Sequence, residues 1–93
     1  MAIKLELFAA PGCSRCAKAR LAVQGLVDAL GEECLEWRAV DVLDEIDYAV
    51  SLGILSTPAV AIDRELVFTS LPRLKKLRRE LQERLQSERD CGA

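Results

Sequence analysis

Apolar and polar positions alternate at the start of the chain, where Ile3, Leu5 and Leu7 interleave with Lys4, Glu6 and Phe8, and this period of two predicts a β-strand over residues 1–9. Its near-continuous apolar character predicts a central strand covered on both faces. Residues 17–30 read as a helix closed by Gly31, with Gly25 as the one breaker inside it. Arg20, Gln24 and Asp28 form a narrow polar stripe on that helix. Ala17, Leu21, Val23, Leu26, Val27 and Leu30 cover most of the remainder, so the helix is expected to lie largely buried against a sheet. Residues 35–42 predict a second strand. Asp44 is expected to cap a short helix through Leu52, closed by Gly53. Residues 59–62 and 65–68 predict a hairpin turning at Asp63-Arg64. In the last helix Ser70 is the candidate cap, Pro72 sits in the first turn, and Leu71, Leu74, Leu77, Leu81 and Leu85 mark the buried stripe. Residues 87–93 are expected to form a frayed tail.

The predicted order is β-α-β-α-β-β-α, an α/β domain spanning residues 1–93 without linker or internal repeat. A chain of 93 residues holds one small core. Aromatic residues make up 4% of it, so that core must be built from Leu, Val, Ile and Ala, which suits helices packed on a sheet. No run approaches the roughly 20 apolar residues that span a bilayer. The chain passes from Met1 directly into the strand without a signal-peptide pattern, so no membrane association and a cytoplasmic location are expected. In a reducing cytosol, four cysteines point to catalysis, metal binding or incidental placement before a structural disulfide framework. From Leu71 onward seven Lys and Arg face four Asp and Glu, a local charge of +3 in a chain of net charge −2. Interspersed Glu80, Glu83 and Glu88 and the absence of aromatic neighbours make this a solvated helix face and not a nucleic-acid surface.

Chemistry is concentrated in Pro11-Gly12-Cys13-Ser14-Arg15-Cys16, a Cys-x-x-Cys at a strand-to-helix junction. There the unpaired backbone N–H groups and the positive end of the helix dipole favour an anion, the thiolate of Cys13. Cys16 falls on the same side of the first turn, within reach of a mixed disulfide formed at Cys13. Arg15 adds a permanent positive charge between them. The redox reading makes Cys13 the nucleophile and Cys16 the resolving thiol. Three other readings use the same residues. A closed zinc site would need a second ligand pair, and the chain offers only the distant Cys34 and Cys91 and no histidine. A Cu(I) chaperone-like module also places Cys-x-x-Cys at a strand-to-helix junction, on a βαββαβ fold. A pair of buried packing cysteines is the third. Trp37 is read as packing, Tyr48 as lacking a chemical partner, and Cys34 and Cys91 as bystanders, with Cys91 open to disulfide-linked dimerisation in air.

Cys13-Ser14-Arg15-Cys16 after the first strand, Ser56-Thr57-Pro58 before the third, and the closing hairpin and helix together resemble the thioredoxin superfamily over essentially the whole chain. In length the chain looks like the small, glutaredoxin-sized thioredoxin-like proteins of bacteria and archaea. The resemblance implies a thioredoxin-like fold with a four-stranded mixed sheet flanked by three helices. It also implies a cis peptide at Pro58 beside the dithiol, with Thr57 offering backbone hydrogen bonds to an extended substrate. The expected activity is thiol–disulfide exchange with a disulfide-containing protein, in a monomer that needs no cofactor beyond its own dithiol and is recharged by a thiol or a flavin-dependent reductase. A noncatalytic thioredoxin-like interaction domain is the remaining alternative.

The chain departs from the family pattern at several positions. Gly12 stands where thioredoxins carry tryptophan, and Ser14-Arg15 replaces Gly-Pro, so these three residues are expected to tune the dithiol. Leu7 occupies the place of the buried aspartate that accepts the resolving thiol's proton, so slow resolution is expected. Thr69-Ser70-Leu71-Pro72 lacks the Gly-Gly-acidic pattern with which glutaredoxins hold glutathione, which argues for protein substrates.

Overall fold

A computed structural model describes residues 3–31, 35–68 and 73–87. The elements are β1 (Ile3–Ala9), α1 (Ser14–Leu30), β2 (Leu35–Asp41), α2 (Ile46–Ser51), β3 (Ala59–Ile62), β4 (Glu65–Phe68) and α3 (Leu74–Ser87). The order is the expected one. The strands form a single mixed sheet in the order β2-β1-β3-β4. β1 lies inside it, parallel to β2 and antiparallel to β3, while β3 and β4 form the hairpin. Asp63 and Arg64 both adopt left-handed backbone (φ 53° and 63°), so the tight turn forms without the glycine that usually supplies it.

Strand alternation splits the core in two. Ile3, Leu5 and Leu7 pack with Val60 and Ile62 against Ala19, Val23 and Leu26 of α1 and Leu77 and Leu81 of α3. On the opposite face Phe8, Val40, Ala59 and Ala61 pack beneath Ala49 of α2. A six-residue helix has no independent stability and holds its place only through contacts with the sheet.

Four details differ from the sequence expectations. First, Leu21 is 75% exposed and Ala17 is exposed as well. At 100° per residue, Cys16, Ala19, Val23 and Leu26 make the buried stripe, and Leu21 falls on the opposite side of the helix. Second, α1 begins at Ser14, three residues earlier than expected, so Cys16 lies inside the helix and Cys13 caps it. Third, Asp44 does not cap α2. Glu45 occupies the N-cap without a side-chain bond, and it is Asp41 that organises the approach, its Oδ1 accepting from the Leu43 N–H at 2.8 Å. Fourth, α3 runs through Ser87, where a frayed tail was expected to begin. The Ser70 cap, Leu71, Pro72, Cys34 and residues 88–93 with Cys91, together with the side chains of Leu74 and Leu85, lie outside the described residues.

Candidate active site

The site assembles where β1 leaves the sheet and β3 enters it. Phe8 pairs with Ala59, so the loop of residues 10–13 departs from the same sheet end at which Pro58 arrives. Val42 N–H donates to Ala9 carbonyl at 2.9 Å, bringing the end of β2 to that end as well. Gly12 (φ 76°) makes the turn from strand to helix. A Cβ there would meet no atom within 4 Å, so it is the left-handed backbone, and not lack of space, that calls for glycine.

Cys13 is the N-cap of α1, with extended backbone (φ −85°, ψ 103°), and its Sγ accepts the Cys16 N–H at 3.1 Å. A sulfur thus occupies the position usually held by a capping oxygen and meets the helix's unpaired donors. No acidic residue lies in the first turn to oppose a negative charge there. Cys13 and Cys16 are joined as a disulfide with Cα atoms 5.3 Å apart. Cys13 is half-buried and Cys16 is buried at 4% exposure, while Ser14 and Arg15 face solvent. An incoming disulfide therefore meets Cys13 first. Both sulfurs belong to the first turn of α1, close enough to exchange a bond without backbone rearrangement.

The Thr57-Pro58 peptide is cis, as the resemblance implies. Pro58 is buried and Thr57 half-buried at the entrance to β3. Among the described residues no group of three or more Cys, Asp or Glu is arranged to hold a metal ion.

Sequence reasoning missed a polar cluster on the α2 side of the sheet. Among the described residues Glu6 is the one charged side chain that is buried, at 3% exposure. Its Oε1 accepts the Tyr48 hydroxyl of α2, and its Oε2 accepts from Arg38 of β2 at 2.8 Å. Arg38 also reaches Glu45 at 3.1 Å, and its guanidinium lies 5.7 Å from the centre of the Tyr48 ring. Tyr48 therefore has a chemical partner, contrary to expectation. Burial first, then the bond to Glu6 and its negative charge, push the Tyr48 hydroxyl above the ordinary tyrosine range. For Arg38, burial alone would lower the guanidinium, but the bond and charge of Glu6 and then those of Glu45 outweigh it and raise it. The signal was present in sequence as a lone carboxylate in an apolar strand and an arginine in the next, which the parallel register Glu6↔Arg38 sets side by side. Glu6 does not replace the missing proton acceptor at Leu7. It lies on the opposite face of β1 from Leu7 and α1, and both its oxygens are engaged.

Trp37 packs against the α1-side core as expected, and its indole N–H also donates to Gln24 Oε1 at 2.6 Å, so one member of the polar stripe on α1 ties the helix to β2. A cleft of about 570 Å³ opens over the Glu6 cluster, lined among others by Lys4, Glu36, Arg38, Glu45 and Arg64. It contains no cysteine, and its cations and carboxylates balance, so it selects no ligand charge.

A family model described as a thioredoxin domain matches residues 1–82. A thioredoxin of Methanocaldococcus jannaschii is 25% identical over 83 residues, covering 89% of this chain and 96% of that one. A probable thioredoxin of Methanothermobacter marburgensis is 26% identical over 77 residues, covering 83% and 89%. The solved structure of thioredoxin 1 from Thermosipho africanus superposes with a TM-score of 0.74 at 17% identity, over 92% of this chain and 98% of that one, which supports the fold. A matching domain model over most of the chain, the expected sheet and helices, and a paired Cys13–Cys16 at the end of β1 place this protein in the thioredoxin superfamily.

Proposed function

We propose that this protein is a thiol–disulfide oxidoreductase acting on protein disulfides. The observation that carries the reading is the capping position of Cys13, whose sulfur accepts the Cys16 N–H at the positive end of a 17-residue helix. In the reduced protein the Cys13 thiolate attacks one sulfur of a substrate disulfide. A Cys13–substrate bond forms, the substrate S–S bond breaks, and one substrate thiolate leaves. Cys16 then loses its proton to water and attacks the Cys13 sulfur. The second substrate thiolate leaves, and the two electrons that entered the substrate came from the dithiol. A thiol or a flavin-dependent reductase returns the Cys13–Cys16 disulfide to the dithiol. Thr57 and Pro58 present backbone to the extended substrate segment, and Gly12, Ser14 and Arg15 tune the dithiol's poise. The working compartment in this reading is the reducing cytoplasm.

A protein substrate is favoured over a small thiol by the surface around the site. Among the described residues, four of the five exposed large apolar side chains, Leu43, Ile46, Val50 and Leu55, lie between β2 and Pro58. Exposed apolar side chains on the segment that joins β2 to Pro58 suit a protein face better than a charged tripeptide. The metal-delivery alternative sits poorly with the element order of the described residues, β-α-β-α-β-β-α, which differs from that of a βαββαβ module. The experiment is insulin reduction with dithiothreitol as the electron source. Wild-type protein should accelerate it, Cys13→Ser should abolish the acceleration, and Cys16→Ser should accumulate a covalent adduct with the substrate. Equal rates for wild type and Cys13→Ser would overturn the proposal.

A further inference from the structure

α2 is the shortest helix of the described residues, and it leads into the site. It has six residues, Ala49 is its one fully buried side chain, and Ile46 and Val50 point into solvent. From its end the chain needs only residues 52–56 to reach Thr57. The first part of that segment is tied back to the helix: Leu52 N–H donates to Tyr48 carbonyl at 3.2 Å, Gly53 to Val50 at 3.0 Å and Ile54 to Ala49 at 3.1 Å. Wherever α2 sits, the approach to Thr57 follows.

Ala49, Tyr48, Leu52 and Ile54 pack on the apolar face formed by Phe8, Val40, Ala59 and Ala61, and a set of polar contacts that converges on Glu6 adds direction to that packing. The Tyr48 hydroxyl, in the first turn of α2, donates to Glu6 of the central strand. Arg38 of β2 bridges Glu6 and Glu45, the N-cap residue of the same helix. Tyr48 also meets the Arg38 guanidinium and the Phe8 ring, each 5.7 Å from its ring centre. A buried carboxylate with both oxygens engaged has a defined geometry, and losing one partner leaves one of its oxygens without that bond.

We propose that Glu6, Tyr48 and Arg38 are positioning residues for disulfide exchange: they anchor α2 to β1 and β2 and thereby set the Thr57-Pro58 turn that receives the substrate beside Cys13. This inference rests on the oxidoreductase reading of the dithiol. None of the three belongs to the dithiol loop, so their effect reaches substrate binding and leaves the sulfur chemistry unchanged. Small disulfides, which need only Cys13, are indifferent to the anchor, whereas protein disulfides, which lie along Thr57, depend on it.

The test uses the full chain and two variants, Tyr48→Phe, which keeps the ring contacts, and Glu6→Gln. Three quantities are compared: KM and kcat for insulin, the rate with a small aromatic disulfide, and amide hydrogen exchange over residues 52–57. For Tyr48→Phe the expected result is an insulin KM raised on the order of tenfold, inside the roughly hundredfold that ~1 Å of misplacement can cost. Its kcat and small-disulfide rate should match wild type, and exchange over residues 52–57 should be faster while that of β1 is unchanged. Glu6→Gln should act in the same direction. If Glu6→Gln does not fold, Tyr48→Phe alone decides. An unchanged KM with unchanged exchange overturns the proposal, and so does a small-disulfide rate that falls in parallel with insulin turnover. A wild-type protein inactive on both substrates overturns the oxidoreductase reading and the positioning role with it, while the exchange data still report whether the anchor holds α2.

Discussion

The backbone amide of Cys16 points at the sulfur of Cys13, 3.1 Å away, so the residue that would resolve a mixed disulfide also donates a hydrogen bond to the attacking atom. A hydrogen bond to the charged form, added to the helix dipole, favours the thiolate. The Cys13 thiol in the reduced protein is therefore expected to titrate below the free-cysteine value of about 8.5. Following the rate of alkylation at Cys13 against pH measures it directly. A midpoint at or above the free value would contradict the proposed role of the cap.

Gly12 holds a backbone that side chains rarely adopt, and it does so immediately before Cys13. Gly12→Ala is expected to cost about 1 kcal/mol or more of stability from the left-handed φ alone. Because no atom crowds the site of the added methyl, the loss should not exceed that of a strained turn. Denaturant unfolding of the oxidised protein reads it.

The two sides of α1 are expected to respond in opposite ways. Leu21, 75% exposed, should tolerate replacement by Ser within about 0.5 kcal/mol. Leu7→Ala, at a fully buried position of β1 beneath the same helix, should cost about 2–5 kcal/mol. Comparable losses from both would mean that α1 is rotated from the orientation described.

Tyr48 supplies a pH dependence whose sign follows from its surroundings. Its hydroxyl is held above the ordinary value of about 10 by burial and by Glu6, with Arg38 and Arg64 opposing in part. A folded-state value raised above the unfolded one contributes stability that is fully present below about pH 10 and is lost as pH climbs through the raised value. Tyr48 is the single tyrosine of the chain, so tyrosinate absorbance during an alkaline titration reports it alone. Native protein should titrate later than denatured protein, and Tyr48→Phe should lose this component of alkaline unfolding. Coincident titrations in the native and denatured states would show that the hydroxyl is not engaged.

Much of the fold was legible because its signals are local. The alternation in β1, Gly31 after α1 (φ 56°, N–H to Val27 carbonyl at 3.1 Å) and the hairpin at Asp63-Arg64 each act over a few residues. Cys13-Ser14-Arg15-Cys16 and Thr57-Pro58 were legible for the same reason. What escaped depends on register and orientation. Leu21 was assigned to the core because counting apolar residues on α1 does not say which side the sheet touches. Glu6 was absorbed into an apolar strand because its partners lie 32 and 42 residues away and are recognised only once β2 is set parallel to β1 and α2 is folded over both. The N-cap of α2 is Glu45, one residue past the expected Asp44, and the side chain that organises the turn is Asp41, which acts from the end of a strand and not from the start of the helix.

The central claim is that Cys13 and Cys16 form a reversible redox couple. An equilibrium titration in defined thiol–disulfide buffers tests it most directly, with alkylation and mass spectrometry reading Cys13 and Cys16 separately from Cys34 and Cys91. The account predicts a two-electron couple confined to Cys13 and Cys16, with a potential between about −120 and −300 mV. Failure of that disulfide to form under any buffer, or a couple that instead involves Cys34 or Cys91, would contradict it.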